Sequence, residues 1–247
     1  MIKSEARLTG ILVATVGGPW LCSGMILRFF LVLVAVGMAV SDCAAEALDV
    51  RPIKRWMAQQ GAVRTLSADF VQTRSFRALK SPLANKGRMW LSAPGKMRWE
   101  LGDPAKAIAL KTEEGFFLIE PAKRRAEKFS GDQLEKQSGM RGMAMMEFPM
   151  ARDFAEFERT FEVLSLTSAG DRCDVALLPR DQQARKMMKR IALAFRPATG
   201  ELIEFEMEFK DGSKLRNEFL NVQTNGKIDP AVFDYDFTGY KVRDGKN

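Results

Sequence analysis

The stretch LIEFEMEFK, residues 202–210, alternates without a break: Ile203, Phe205, Met207 and Phe209 fall on one side, Glu204, Glu206 and Glu208 on the other. Successive side chains of a β-strand point to opposite faces, so this pattern describes a strand with one face buried and one in water. The pattern recurs along the chain. LSADFVQ (66–72), KGRMWLS (86–92), MRWEL (97–101), AIALK (107–111) and GFFLIE (115–120) are short runs of the same kind. FEVLSLTS, RCDVALLP, KRIALAFRP, KLRNEFLNV and AVFDYDF add strand candidates between residues 161 and 237. Their connectors carry the Pro, Gly, Asn and Asp that tight hairpins use to reach unusual backbone angles, as in APGK, GDPAK, Asp211-Gly212 and Asn225-Gly226. The chain is therefore expected to be mainly β with a few helices: a meander of about ten antiparallel strands, a number at which a sheet curls or closes.

Two stretches depart from the alternation. From Asp49 to Ala62, Val50, Ile53, Met57 and Ala58 recur at three- and four-residue spacing with Lys54, Arg55 and Gln59 opposite, which predicts an amphipathic helix. Residues 130–158 are rich in Met and poor in β-branched residues, with Asp132 as a candidate N-cap and Pro149 as a break, so one or two short helices or a mobile loop are expected there.

The N-terminus has a different character. MILRFFLVLVAVGMAV (25–40) has one arginine followed by an apolar run of signal-peptide length, too short to favour a spanning helix. Ala45-Glu46-Ala47 has the small-x-small form of a signal-peptidase site, so export and cleavage near Ala45 or Ala47 are expected, with Met25 as an alternative start. A rival reading acylates Cys43, but Asp42 stands before it where a lipobox has a small residue. Removing residues 1–47 takes three cations and three acids, so the formal charge of +7 belongs to residues 48–247, taken here as a single domain. In an exported chain a basic surface points away from nucleic acid and towards anionic membrane surfaces or acidic proteins, beside the plainer reading of a solvated surface. Of the three cysteines only Cys173 would remain, which forbids an intramolecular disulfide.

The chemistry of catalysis is sparse. The chain has no histidine, the usual general base and commonest metal ligand, and Cys173 alone builds neither a zinc site nor a nucleophile-base pair. Glu113-Glu114 and the Glu204, Glu206, Glu208 series are the available carboxylate groups, the second on a strand's polar face where solvation is the ordinary fate. No phosphate-binding Gly motif is present. No enzyme activity, metal or cofactor is expected. What remains is surface and cavity: an incompletely closed sheet can hold a lipid chain on its apolar face, and Met140, Met143, Met145, Met146 and Met150 with Phe148 supply side chains that repack around irregular ligands. A plain helix burying methionine in a core is the bland alternative.

Four segments, taken in order, resemble the LolA family of periplasmic outer-membrane lipoprotein carriers. LSADFVQ resembles the family's Phe-x-Gln first strand, and KGRMWLSAPGKMRWEL (86–101) its Gly-x-Leu-Trp strand, proline turn and Arg-Trp strand. GFFLIEPAKRRAEKF (115–129) resembles the next strand and hairpin, and FLNVQTNGKIDPAVFDYDF (219–237) the closing pattern. The resemblance implies an unclosed antiparallel β-barrel, covered by an N-terminal helix and a helical lid, around an apolar cavity. It also implies a monomer that takes acylated lipoprotein or lipid cargo from an inner-membrane ABC releasing complex to an outer-membrane acceptor, without covalent chemistry or nucleic acid. Met97 and Trp99 stand at family cavity positions. Strand parity adds Met89 and Leu91, and alternation alone adds Ile108, Leu110, Phe205, Met207 and Phe209. The lid would include Met140, Met143, Met146 and Phe148. The sequence departs from the family at Ala93, where well-studied members carry a latch arginine; Lys96 or Arg98 is a substitute donor, although parity puts Arg98 opposite Met97. An outer-membrane-anchored acceptor of the same fold and a lipid-sensing regulatory module stay open beside the carrier.

Overall fold

The computed structural model describes residues 48–130 and 154–245. Helix α1 (Arg51–Gly61) begins with Pro52 in its first turn, where a missing N–H costs nothing, and buries Ile53, Trp56, Met57 and Gln60. Ala58, expected on the buried stripe, is exposed; Trp56 and Gln60 take the inward positions instead, because Trp56 Nε1 and Gln60 Nε2 both donate to the carbonyl of Gly200, at 3.0 and 2.6 Å.

The strands follow as β1 (Thr65–Ser75), β2 (Leu83–Ser92), β3 (Lys96–Leu101), β4 (Ala107–Thr112), β5 (Gly115–Glu120) and β6 (Arg125–Phe129). After α2 (Phe154–Thr160) come β7 (Phe161–Ala169), β8 (Arg172–Pro179), the short α3 (Gln182–Met187), β9 (Met188–Phe195), β10 (Leu202–Phe209), β11 (Lys214–Thr224) and β12 (Lys241–Asp244). They form one twelve-stranded sheet in the order β12-β6-β5-β4-β3-β2-β1-β11-β10-β9-β8-β7. The sheet is curved and does not close, since β12 and β7 stand at its two edges. Neighbouring strands are antiparallel apart from β12, which runs parallel to β6 with Lys241 opposite Arg125.

Two strands differ from the sequence reading. AVFDYDF is a 3-10 turn (Pro230–Phe233) followed by an irregular segment, because Asp229 accepts a hydrogen bond from the Ala231 N–H and Pro230 cannot donate to a ladder. The final strand β12, short and wholly exposed, has no apolar alternation to announce it.

The sheet has two unequal apolar faces. The inner face, covered by α1, carries the main core: Trp56 stacks on Phe195 with ring centroids 4.9 Å apart, and Phe70, Phe205, Met207, Ile191 and Leu193 continue it. A smaller cluster lies on the outer face of β4–β6, where Ile108, Leu110, Phe117, Ile119 and Ala126 pack beneath Tyr235, Phe237 and Tyr240 of the C-terminal segment.

Candidate functional site

Register fixes which side chains share the inner face. Leu91 pairs with Met97, Met89 with Trp99 and Trp99 with Ala109, so these stand in adjacent rows on one side of β2, β3 and β4. Phe70 of β1 pairs with Gly87, and its ring lies over that glycine and against Trp99 with centroids 4.0 Å apart. A Cβ at Gly87 would collide with the Phe70 ring and the Glu100 carbonyl oxygen, so the glycine lets two aromatic rings sink into the wall. Phe219 of β11 pairs with Phe70 and meets Trp99 edge-on.

The other half of the sheet supplies Phe205 and Met207, both buried, and Phe209, partly buried against the same core. A register shift between Leu202 and Glu204 turns Leu202 into the core and leaves Ile203 only half-buried, a bulge that unbroken alternation could not reveal. Met89, Leu91, Met97 and Trp99 thus share one face with Phe205, Met207 and Phe209. Phe70, Phe219 and Trp56 belong with them. Phe70 and Phe219 stand in alternating runs of the sequence, whereas Trp56 is placed by its hydrogen bond to the distant Gly200.

Ile108 and Leu110 do not join that face. Ile108 pairs with Glu100 and Leu110 with Arg98, which puts both on the outer face under the C-terminal segment. Alternation in AIALK sets Ile108 and Leu110 apart from Ala107, Ala109 and Lys111 without saying which row faces inward; the second row does, with Ala109 beside Trp99 and Lys111 beside Met97. The lid positions Met140, Met143, Met146 and Phe148, with Met145 and Met150, lie outside the described residues.

Arg98 makes a latch of another kind. Its Nη1 donates to the carbonyls of Val232 and Asp234 at 2.9 and 3.1 Å, and its Nη2 lies 2.7 Å from Glu100 Oε1. It therefore holds the C-terminal strap on the outer face, as its parity requires. Tyr235 completes the strap: its hydroxyl is 2.7 Å from that of Tyr240, and burial, then this hydrogen bond, push its phenol up to about 12.

A buried polar pair lies in the inner wall. Gln72 Nε2 donates to Asn217 Oδ1 at 3.1 Å, and Arg74 Nε donates to Gln72 Oε1; Gln72 and Asn217 are each 2% exposed. The outer face of β8–β11 carries a network of ion pairs. Glu204, Glu206 and Glu208 lie in a lattice with Arg172, Lys189, Arg190, Lys214 and Arg216, including Arg216–Glu204 at 2.6 Å and Lys189–Glu208 at 2.7 Å. Cys173 is fully buried in the core, and burial pushes its thiol up from the ordinary value. Among the described residues no group of three or more Cys, Asp or Glu side chains is placed to hold a metal ion.

A family model described as the outer membrane lipoprotein carrier protein LolA matches residues 61–236, from the end of α1 through the 3-10 turn. The chain belongs to the LolA family. The match spans β1 through β11, so both halves of the inner face fall within the LolA region. The outer-membrane lipoprotein carrier protein of Chromobacterium violaceum is 24% identical over 204 residues, covering 82% of this chain and 88% of that one. Among solved structures, an uncharacterized conserved protein from Thermus thermophilus aligns with a TM-score of 0.48 at 9% identity over 78% of this chain and 97% of its own. A putative outer membrane lipoprotein-sorting protein domain from Vibrio parahaemolyticus aligns with a TM-score of 0.43 at 11% identity, over 75% and 95%.

Proposed function

We propose that this LolA-family chain is a non-catalytic periplasmic carrier that holds the acyl chains of a lipoprotein, or of a related acylated lipid, against the inner face of its sheet. The observation that carries this reading is the joining of Met89, Leu91, Met97 and Trp99 from one half of the sheet to Phe205, Met207 and Phe209 from the other on a single apolar face. Each acyl methylene removed from water contributes about 0.8 kcal/mol, so a chain of about a dozen supplies on the order of 10 kcal/mol before ordering costs. Methionine suits such a wall because its unbranched side chain repacks around chains of different shape. In this reading the segment ending near Ala45 or Ala47 directs export and residues 48–247 act as one domain. Cargo arrives from an inner-membrane ABC releasing complex and leaves to an outer-membrane acceptor.

The test is native mass spectrometry with lipid extraction of the protein purified from its own host. The reading predicts an acylated molecule bound to the protein and its loss from the Met97→Glu variant, whose circular dichroism stays native. A protein that is empty, and remains empty when lipoprotein is released beside it from membrane vesicles, contradicts it.

A further inference from the structure

Four of the most exposed large apolar side chains gather at one end of the sheet. Phe76, Leu79 and Leu83, 43%, 46% and 51% exposed, lie in or beside the β1–β2 connection, and Met187, 49% exposed, ends α3. The topology makes them neighbours. Ser75 at the end of β1 pairs with Lys214 at the start of β11, and Phe209 at the end of β10 pairs with Met188 at the start of β9. The Arg77 side chain lies over Gly212 in the β10–β11 turn, where an added Cβ would meet Arg77 Cδ at 2.8 Å, and the Lys210 N–H donates to the Met187 carbonyl at 2.8 Å.

Cations surround these apolar tips. Arg77, Lys80, Lys186 and Lys210 are exposed, and Arg77 sets its charge against Asp211 in the β10–β11 turn. The nearby carboxylates are occupied: Asp211 accepts from the Ser213 N–H and hydroxyl, Asp181 caps α3 through the Ala184 N–H, and Glu208 holds Lys189. From Phe70 to Ser92 the sequence carries five Lys or Arg and no acid, so the part of the hairpin that projects Phe76, Leu79 and Leu83 is positive.

We propose that this end of the molecule, formed by the β1–β2 connection, the β10–β11 turn and α3, docks on an anionic phospholipid bilayer. Apolar side chains on separate protruding turns, with lysine and arginine between them, match the interfacial region, where apolar groups sink to the headgroup–acyl boundary and cations meet anionic phosphates. The docking goes beyond the carrier reading and does not depend on it, because none of these residues belongs to the inner face.

Co-sedimentation with phosphatidylethanolamine vesicles, with and without phosphatidylglycerol, tests it on the protein purified from its own host. Phosphatidylglycerol should raise binding roughly tenfold or more at low salt, and added salt should reverse the gain. Phe76→Ser combined with Leu79→Ser should lower it by about tenfold, and Lys80→Gln with Lys186→Gln by a similar factor, while both variants keep native circular dichroism and an unchanged thermal midpoint. No sedimentation with anionic vesicles, equal sedimentation with uncharged ones, or full binding by the Phe76/Leu79 variant would overturn the proposal.

Discussion

At the residue scale, Arg98 shows how one side chain ties β3 to the C-terminal segment. Glu100 is 7% exposed, and Arg98 answers its charge while donating to two carbonyls more than a hundred residues away. Arg98→Gln leaves a buried carboxylate with only the weaker contact to Arg88 at 3.4 Å, and should destabilise the fold by about 2–3 kcal/mol in urea titrations. The strap beside it can be followed optically, because the protein has two tyrosines and both, Tyr235 and Tyr240, are in it. Burial and the hydrogen bond raise the folded-state value of Tyr235 above its ordinary 10 to about 12. Its stabilising contribution is therefore complete below about pH 10 and is lost as the pH climbs towards 12. One tyrosine of the native protein should ionise late in an absorbance titration and return to the ordinary range in urea. At this scale sequence patterning was informative where the two sides of a strand differ chemically. The register puts Met97 and Trp99 on the side away from Arg98, as strand parity implies, and Ile108 and Leu110 on the side of Arg98 and Glu100, because only the pairing partners, not the alternation of β4, decide which of its rows faces inward.

At the scale of elements, the inner wall depends on β1, β2 and β3 lying close enough for the Phe70 and Trp99 rings to meet. Gly87→Ala puts a methyl where the Phe70 ring lies, and should cost about 2–3 kcal/mol, a typical overpacking penalty, with a changed near-ultraviolet signal from the aromatic pair. Gly87→Ala with Phe70→Leu should recover part of that loss. The strands and α1 were legible because each carries its own period. The 3-10 turn at Pro230–Phe233 was not, since its apolar residues serve a strap that packs on the sheet without joining it, and β12 forms only through parallel pairing to β6. The bulge in β10 is likewise a property of two strands together and leaves no mark on LIEFEMEFK itself.

For the whole molecule, the open sheet separates an apolar inner face from an outer face netted by ion pairs. Glu208 is held below its ordinary 4.5 first by its hydrogen bond to Lys189, with Lys214 and Arg190 adding to the effect. That contribution is present in full above about pH 4.5 and is lost as the pH falls through the lowered folded-state value, so thermal midpoints should decline below this point and decline less in Glu208→Gln. The carrier reading rests on the opposite side of the sheet, and two tryptophans divide the two sides: Trp99 stands on the inner face and Trp90, paired with Arg98, on the outer. With Trp56 replaced by phenylalanine, and then either Trp90 or Trp99 as well, the one tryptophan left within residues 48–247 reports on one face alone. Loading with a lipoprotein whose acyl chains are brominated should quench Trp99 emission strongly and leave Trp90 unchanged. Quenching of Trp90 with Trp99 unaffected would place the chains outside the inner face and contradict the account.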